Sequence, residues 1–565
     1  MHTLRLFALL FILCPTSILT AVEAAPPLGE PGGTLVVNLS GSLPLRPGGG
    51  FLFGDSGMSL FDATVLLKRA ITQAEKRIIL DCSLEFAPGL AAAEELAAVL
   101  RSRSTDKRVV CLIDNASDAV LAIAAACDEV VMVEAGMLNV DGLSLSSDYY
   151  ADALNRFGIK FHAVTSGAAK TAPEPFTKSR PSAAAIAEHQ RLISALDQAT
   201  LALAVRPNVT LERLTAARAR APQTAAIAKE LGLVNAAVEP GAWLKGQPGP
   251  VRYLRQETDQ PDFNSLPGIM AFINELMSGE QKRTLIKSIA VVELEGSIIE
   301  GDVSVPGYTI AGNDTAALFD RLINDAMIVG VVVRINSGGG SAGASDRAHY
   351  ALKRLAAAKP VVALFDAVCA SGGYYIGCAA KEIMVHRGTI TGSIGVFAMV
   401  PDLDATRALF GVHRHTITTG PRAELFSTSE FTADKEAAIR QVVVAVDERF
   451  QAIVAENRGL ALDKVNELAG GRVFSGDEAV ALGLANRIGD LPTAVARVRE
   501  LAGITEPLPL ERLPHAGGLA ARLGLGGVQS AMLHAVIPPA ARVLVEQAQR
   551  SRIQVMAWTA PLLVE

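Results

Sequence analysis

The amino-acid sequence predicts an α/β protein that contains two tandem copies of one domain, each built on a mostly parallel sheet. Three observations predict this fold class. Half of the 565 residues are apolar and 5% are aromatic, a composition that suits alanine-rich helices packed on strands rich in valine and isoleucine. Strand-like runs alternate with helical segments of roughly 10–15 residues, as in parallel sheets covered on both faces. One series of segments also recurs about 253 residues further along the chain.

The internal repeat rests on four segments that occur twice in the same order. The strand-like runs that end at Gly41 and Gly296 are offset by 255 residues (296 − 41). The other offsets are 253, 253 and 251 residues, for the pairs Glu129 and Glu382, Gly167 and Gly420, and Gly232 and Gly483. Solenoid repeats have periods of roughly 20–50 residues, so this longer period indicates a duplicated domain. Two units of about 220 residues are each large enough to bury a core.

The predicted organisation has five parts. Residues 1–24 combine a short basic flank at Arg5, an apolar run over residues 6–22 and a small-residue end, which is typical of an export signal. Pro15 interrupts the run and favours cleavage, although the run is also long enough for an uncleaved anchor. The other parts are the N-terminal repeat, a linker with a helix, the C-terminal repeat and a tail, over residues 34–245, 246–287, 288–505 and 506–565.

Composition determines how the linker and the tail are interpreted. Residues 240–266 are rich in Pro, Gly and Gln, and residues 270–287 are expected to form a helix. In the tail, residues 541–556 place valines and an isoleucine among polar residues. That pattern predicts an amphipathic helix that either packs on the protein or contacts lipid.

Charge and cysteine content exclude two classes of site. The net charge is −6 and the basic residues are scattered, so no basic stripe for nucleic acid is present. An odd number of cysteines follows Cys14, and none has Cys-x-x-Cys spacing. We therefore expect buried thiols rather than a disulfide framework or a metal site at Cys82, Cys111, Cys127, Cys369 and Cys378.

The second repeat has the clearest alternation of elements. Strands are expected over residues 290–294, 329–335, 361–365 and 382–386. Helices are expected between them, over residues 315–326 and 345–358 and from Ser371 onward. Sites in parallel sheets lie in loops at the carboxyl ends of strands. Two loops of the second repeat have that position, one with Gly338 to Gly340 and one with Ser371.

Both loops have a structural and a catalytic interpretation. Three consecutive glycines allow the backbone to approach a ligand closely, but they are also compatible with a flexible turn. Ser371 is followed by Gly372 and Gly373 where a strand gives way to a helix. A serine there exposes its hydroxyl, and the Gly372 N–H would point at an oxyanion formed on a bound substrate. The same serine could equally be an ordinary helix N-cap.

A hydroxyl nucleophile needs a base, and the histidines near these loops, His386, His413 and His415, have no evident acidic partner in the sequence. A lysine can replace histidine if burial lowers its pKa toward neutrality. Lys170 lies among Gly, Ala and Pro residues with little charge before Lys178, and it is the candidate. Most lysines are solvated surface residues, so the spacing alone leaves that alternative open.

Five strings together resemble the signal peptide peptidase A (protease IV) family in its long, duplicated bacterial form. They are RINSGGGSAGAS, CASGGYY, TGSIGVF, GAAKTAPEPF and GRVFSGDEAVALGLANRIG, and the resemblance covers residues 34–500. It implies a fold similar to Clp protease and crotonase enzymes. It also implies a membrane-associated serine protease with a Ser/Lys dyad and no cofactor, which degrades signal peptides left in the membrane after export.

Carried over motif by motif, the resemblance makes Ser371 the nucleophile and Lys170 the general base. The N–H groups of Gly372 and of Gly339 or Gly340 would form the oxyanion hole. Ser393 is a candidate to hydrogen-bond the lysine amine or to line the substrate groove, and it is equally compatible with a simple turn at a strand end. One departure is Gly338, where the family has proline, and glycine there raises the entropy cost of ordering the loop by about 1 kcal/mol.

The repeat offset separates the two catalytic candidates. Ser371 corresponds to Asp118 of the first repeat (371 − 253), and Lys170 corresponds to Ala423 of the second (170 + 253). Neither repeat keeps both groups. We therefore expect catalysis where a surface of the first repeat meets a surface of the second, and the sequence leaves open whether both belong to one chain or to neighbouring chains.

The resulting prediction is a membrane-associated serine endopeptidase that degrades cleaved signal peptides and other apolar peptides. It is expected to be a homo-oligomer resembling a tetrameric ring, exported to the periplasm or anchored on the periplasmic side of the bacterial inner membrane. Neither cofactor nor metal is expected. The alternatives are a catalytically silent oligomeric scaffold and a crotonase-type acyl-CoA enzyme, which would need neither Lys170 nor an export signal.

Overall fold

The computed structural model describes residues 33–46, 57–74, 76–254, 286–305, 307–420 and 422–514, together with short strands at residues 556–557 and 563–564. The export segment lies wholly outside these residues. The helix expected over residues 270–287 and the amphipathic helix expected over residues 541–556 also lie outside them, apart from residues 286–287 and 556. None of the helices in the described ranges is both long enough and apolar enough to cross a membrane.

The first repeat alternates strands and helices, as its sequence predicts. Its elements are β1 (Thr34–Asn38), α1 (Leu60–Gln73), β2 (Arg77–Cys82), α2 (Leu90–Arg101), β3 (Arg108–Ile113), β4 (Ala116–Ser117), α3 (Asp118–Ala124), β5 (Glu129–Val133), β6 (Met137–Asn139), β7 (Leu145–Ser146), α4 (Ala151–Arg156), β8 (Lys160–Thr165), α5 (Glu174–Thr177), α6 (Ala183–Ala204), α7 (Leu211–Arg218), β9 (Gln223–Thr224), α8 (Ala225–Glu230), β10 (Ala236–Val238), α9 (Pro240–Lys245) and β11 (Val251–Leu254).

The second repeat follows the same plan and is succeeded by two short strands of the tail. Its elements are β12 (Ser288–Glu295), β13 (Ser297–Ile299), β14 (Thr309–Ala311), α10 (Gly312–Asn324), β15 (Ile328–Ser337), β16 (Gly340–Ser341), α11 (Ala342–Ala358), β17 (Val361–Ala370), α12 (Gly372–Gly377), β18 (Glu382–Val385), β19 (Ile390–Gly392), β20 (Phe397–Asp402), α13 (Asp404–Leu409), α14 (Ala433–Arg458), α15 (Leu462–Leu468), β21 (Val473–Ser475), α16 (Gly476–Ala481), β22 (Arg487–Ile488), α17 (Leu491–Leu501), β23 (Leu510–Leu513), β24 (Met556–Ala557) and β25 (Leu563–Val564).

The two repeats build the same parallel sheet. The first sheet has the order β10-β5-β3-β2-β1-β11, and every pairing in it is parallel. The second has β22, β18, β17, β15, β12 and β23 in the corresponding places, again with parallel pairings. Central strands such as β3 and β15 are apolar runs buried on both faces, which parallel sheets require. The prediction of tandem α/β units with mostly parallel sheets is confirmed.

The end of each repeat differs from the expected boundary. Residues 246–287 were predicted as a linker and a helix, but β11 lies inside that range and pairs with β1. In the second repeat, β23 lies in the predicted tail and pairs with β12. These four-residue strands are too short for sequence periodicity to separate them from loops, and only tertiary pairing identifies them as the last strand of each domain.

A third sheet joins the repeats and positions the candidate site. Its order is β14-β13-β16-β24-β20-β8. The antiparallel ladder between β8 of the first repeat and β20 of the second extends from the Thr165–Phe397 pair to the Lys160–Asp402 pair. Because antiparallel strands run in opposite directions, the chain that leaves β8 and the chain that enters β20 lie at the same end of the ladder. Those chain segments contain Lys170 and Ser393.

Helix α14 covers this ladder. Thr432 caps its first turn through the side-chain oxygen, and Gly459 ends it in the left-handed conformation with φ 63°. The apolar face of α14 contributes Ile439 and Val443 to a cluster with Val164 of β8 and with Val396, which precedes β20. This packing fixes the two segments that contain Lys170 and Ser393 against one helix.

A buried ion cluster also connects the repeats. Arg334 of β15 is fully buried, and its guanidinium donates to Glu95 of α2 (2.9 Å) and to Asp366 of β17 (2.6 Å). Glu95 additionally accepts a hydrogen bond from Thr64 Oγ1 at 2.8 Å. A buried charge is tolerated only when it is paired, so each partner depends on the others.

Candidate active site

Ser371 occupies a sharp turn between β17 and α12. Its backbone angles are φ 53° and ψ −116°, a conformation that side-chain-bearing residues rarely adopt. The Ser371 N–H donates to the Gly392 carbonyl and the Tyr375 N–H donates to the Ser371 carbonyl, each at 2.8 Å. These bonds hold the strained turn, which resembles the nucleophile elbow of other hydrolases.

The serine does not serve as a helix cap. Its side chain accepts no hydrogen bond from the first turn of α12. Instead the Ser371 Oγ lies 3.0 Å from the Nζ of Lys170, and both side chains are buried. The geometry therefore favours the catalytic interpretation of Ser371 over the N-cap interpretation.

Lys170 belongs to the loop that follows β8, and it is 2% exposed. Besides Ser371, its Nζ contacts both the carbonyl oxygen and the Oγ of Ser393 at 2.9 Å. A backbone hydrogen bond connects the loop to the second repeat, since the Ala169 N–H donates to the Gly470 carbonyl at 3.1 Å. A β-carbon on Gly471 would lie 2.5 Å from the Lys170 Cα, so only glycine allows this close approach.

Burial determines the protonation of the lysine. Desolvation lowers the pKa of Lys170 from 10.5 to about 7, and the Asp447 carboxylate opposes this shift. A substantial fraction of Lys170 is therefore a neutral amine near neutral pH. An amine of this kind has the lone pair that a general base requires.

Ser393 has the geometry expected of a residue that orients the lysine. Its φ of 50° is again in the left-handed region, and its N–H donates to the Arg472 carbonyl at 2.6 Å. This conformation turns both its hydroxyl and its carbonyl toward Lys170 Nζ. Of its predicted interpretations, the structure favours the hydrogen bond to the amine.

The oxyanion candidates lie beside the serine. Gly372 is the first residue of α12, so its N–H has no acceptor within the helix. A β-carbon on Gly372 would lie 3.2 Å from the Gly340 nitrogen, which places the two glycines side by side. The Gly339 N–H already donates to Ser337 Oγ at 3.1 Å. Among the predicted glycines, the geometry therefore favours Gly372 and Gly340 over Gly339.

The predicted rival bases lie elsewhere. His386 is fully buried with its Nε2 3.8 Å from Glu95, so its acidic neighbour comes from the first repeat and belongs to the ion cluster around Arg334. His413 and His415 are exposed. Asp118, the counterpart of Ser371, accepts a hydrogen bond from the Gly142 N–H and faces Arg218 at 3.7 Å, which is a structural role. In the described ranges no group of three or more His, Cys, Asp or Glu could hold a metal ion.

Sequence reasoning missed three residues around Lys170. Ser166 Oγ accepts a hydrogen bond from the Val396 N–H at 2.9 Å, Gly471 packs on the lysine backbone, and Asp447 acts on the lysine charge. Asp447 could have been found as an acid on the otherwise apolar face of α14. The other two carry no local signal, because their contacts come from the other repeat.

Several relatives of the chain are named as proteases or peptidases. Protease 4 of Haemophilus influenzae is 29% identical over 474 residues, which cover 79% of this chain and 73% of that protein. A putative signal peptide peptidase of Enterococcus faecium is 30% identical over 196 residues, or 34% of this chain and 56% of that protein. Among solved structures, ClpP1 from Listeria monocytogenes is similar over 35% of this chain and 91% of its own, with 17% identity and a TM-score of 0.23.

The family model described as Peptidase family S49 matches residues 101–239 and 353–505, one region in each repeat. These regions together span just over half of the chain. The chain therefore belongs to peptidase family S49, and it is a serine peptidase with a duplicated family domain.

Proposed function

We propose that the protein hydrolyses peptides by acyl transfer, with Ser371 as the nucleophile and Lys170 as the general base. The contact that carries this proposal is the 3.0 Å approach of Lys170 Nζ to Ser371 Oγ between two groups 201 residues apart. A catalytically silent scaffold would gain nothing from burying a lysine, whose desolvation is costly. A crotonase-type enzyme has no need of this base.

The hydrogen bonds of Lys170 fit the first chemical step. A neutral amine has two hydrogens and one lone pair, and Nζ has three neighbours. The two hydrogens go to the carbonyl and hydroxyl oxygens of Ser393, and the lone pair faces Ser371 Oγ. As Oγ bonds to the peptide carbonyl carbon, its proton moves to Nζ, and the Gly372 and Gly340 N–H groups receive the oxyanion.

The remaining steps reuse the same groups. When the carbon–nitrogen bond breaks, the Lys170 ammonium gives its proton to the leaving amine, and an ester to Ser371 remains. Neutral Lys170 then takes a proton from a water molecule that attacks the ester. Collapse of the second oxyanion releases the carboxylic acid and returns the proton to Ser371.

The third sheet provides a binding slot for an extended peptide. The space between β16 and β20 accommodates one strand, since β24 pairs antiparallel with Gly340 on one side and with Phe397 on the other. A peptide substrate that pairs in the same way would pass the Gly340 nitrogen, next to Gly372. Backbone pairing of this kind accepts many sequences and selects for an extended conformation.

The proposed substrates are cleaved signal peptides and other apolar peptides. Support comes from the apolar run over residues 6–22, which directs the protein to the periplasm or anchors it on the periplasmic side of the inner membrane, and from the relative named as a putative signal peptide peptidase. Phe157 and Phe410, which correspond at the 253-residue offset, are 62% and 73% exposed and offer apolar surface to a second copy in a homo-oligomer.

The test is hydrolysis of a fluorogenic apolar peptide by the purified full-length chain in detergent. We expect Ser371→Ala and Lys170→Ala each to lose at least about 1,000-fold in kcat. Lys178→Ala is the matched control, because Lys178 lies just after α5, eight residues beyond Lys170, is half exposed and contacts Glu174. If Lys170→Ala retains the activity of the control, Lys170 is not the base.

A further inference from the structure

The apolar stripe of helix α14 contains one acid. Ile439, Val443, Phe450 and Val454 are buried at helical spacing, and Asp447 lies on the same face and is 8% exposed. A carboxylate in such a stripe loses hydration that an apolar side chain would not lose. Packing therefore does not explain the residue, and an electrostatic role would.

The hydrogen bonds of Asp447 are incomplete. Gln451, one turn along the helix, donates to Oδ2 at 2.6 Å. The second oxygen, Oδ1, is buried and has no donor in bonding geometry among the described residues. The carboxylate therefore has negative charge that its own helix does not neutralise.

Asp447 lies one turn beyond Val443 on the buried face of α14, and Val443 packs on Val164 of β8, the strand that leads into the lysine loop. Burial raises the pKa of Asp447 above its ordinary value, and Ser166 and the Lys170 charge oppose that shift. Glu448, the exposed neighbour on the helix, is the other charged group acting on it. In return Asp447 is the acid that raises the pKa of Lys170 against desolvation.

We propose that Asp447 is a positioning residue of the Ser371/Lys170 reaction, which stabilises the Lys170 ammonium through space. The need follows from the mechanism, because each attack by Ser371 creates an ammonium in a dry pocket. A fixed carboxylate nearby lowers the energy of that charged state without touching the peptide. The inference rests on the proposed function of Lys170.

The test is the pH dependence of kcat/KM for Asp447→Asn in the full-length chain. Removal of the charge shifts the midpoint of the acid limb toward lower pH by about half a unit to one unit, and it lowers kcat with little change in KM. Gln451→Lys keeps a donor to Asp447 and offsets its charge, so it also shifts the midpoint toward lower pH. Glu448→Gln removes the same charge from the neighbouring exposed position and leaves the midpoint unchanged.

A merely structural role predicts a different result. Partial unfolding of Asp447→Asn would lower the rate at all pH values and leave the midpoint in place. An unmoved midpoint in both Asp447→Asn and Gln451→Lys overturns the inference. If Asp447→Asn does not fold, Gln451→Lys alone decides. Failure of the proposed function gives a distinct result, because Lys170→Ala would then keep its activity. In that case the midpoints of the Asp447 and Gln451 variants would carry no information about Lys170.

Discussion

The rate of peptide hydrolysis is expected to follow the ionisation of Lys170. An ordinary lysine with a pKa of 10.5 is neutral in roughly one molecule in 3,000 at pH 7, whereas Lys170, with its pKa lowered to about 7 by burial, is neutral in about half. Only the neutral amine accepts the Ser371 proton. The logarithm of kcat/KM should therefore rise with unit slope up to about pH 7 and then level off, so that activity at pH 5 is roughly 100-fold below the plateau.

The assay is initial-rate hydrolysis of an uncharged fluorogenic peptide between pH 5 and pH 9, with the melting temperature recorded at each pH. Lys170→Arg is the matched variant, because a guanidinium stays protonated over this range and cannot act as a base. It should lose about three orders of magnitude in rate on the plateau above pH 7, and its residual rate should not follow the wild-type pH profile. A wild-type rate that still rises with unit slope at pH 9, or a flat profile between pH 5 and pH 9, would refute the assignment of a buried neutral lysine.

Three further outcomes are expected. Ser393→Ala removes one of the two hydrogen-bond acceptors of the Lys170 amine, so kcat should fall about tenfold with KM unchanged, and an unaltered kcat would exclude an orienting role. Arg334→Met leaves Glu95 and Asp366 buried without their partner and should lower the free energy of unfolding by about 3–5 kcal/mol in urea titrations, whereas a loss below about 1 kcal/mol would contradict the cluster's role. Ala557→Pro removes a backbone N–H from β24, which occupies the slot between β16 and β20, so peptide substrates should bind there more easily and their KM should fall. Ala540→Pro, next to Pro539, is the control. Equal KM values for the two variants would show that β24 does not compete with the substrate.

The local parts of the site could be predicted from the sequence. The strand, Ser371 and Gly372 form a contiguous pattern, and the observed elbow between β17 and α12 lies where that pattern predicts it. The run of glycines before Ser341 also predicted the position of the second loop of the site. The pattern could not decide whether Gly339 or Gly340 provides the N–H of the oxyanion hole. That distinction depends on the hydrogen bond between Gly339 and Ser337, which is a tertiary detail.

The parts of the site that depend on contacts between repeats could not be predicted from the residues alone. Lys170 is one lysine among many until β8 pairs with β20, and the family resemblance was needed to select it. Gly471 lies 301 residues beyond the lysine (471 − 170), and nothing in its own segment reveals contact with it. The segment of Asp447 shows an acid on an apolar helix face but does not identify Lys170 as its neighbour. The edge strands β11 and β23 were missed for the same reason, since they exist only through pairing with β1 and β12.

The activation of Ser371 by Lys170 can be measured directly by covalent labelling of the full-length chain with a fluorophosphonate. The labelled residue is identified by mass spectrometry of the digested protein. The reagent reacts with a serine whose hydroxyl is activated by a base, so it reports the nucleophile and its activation together. We expect one label on Ser371, formed at least about 100-fold more slowly in Lys170→Ala and at the wild-type rate in Lys178→Ala. A label on another serine, or equal labelling of Ser371 with and without Lys170, would contradict it.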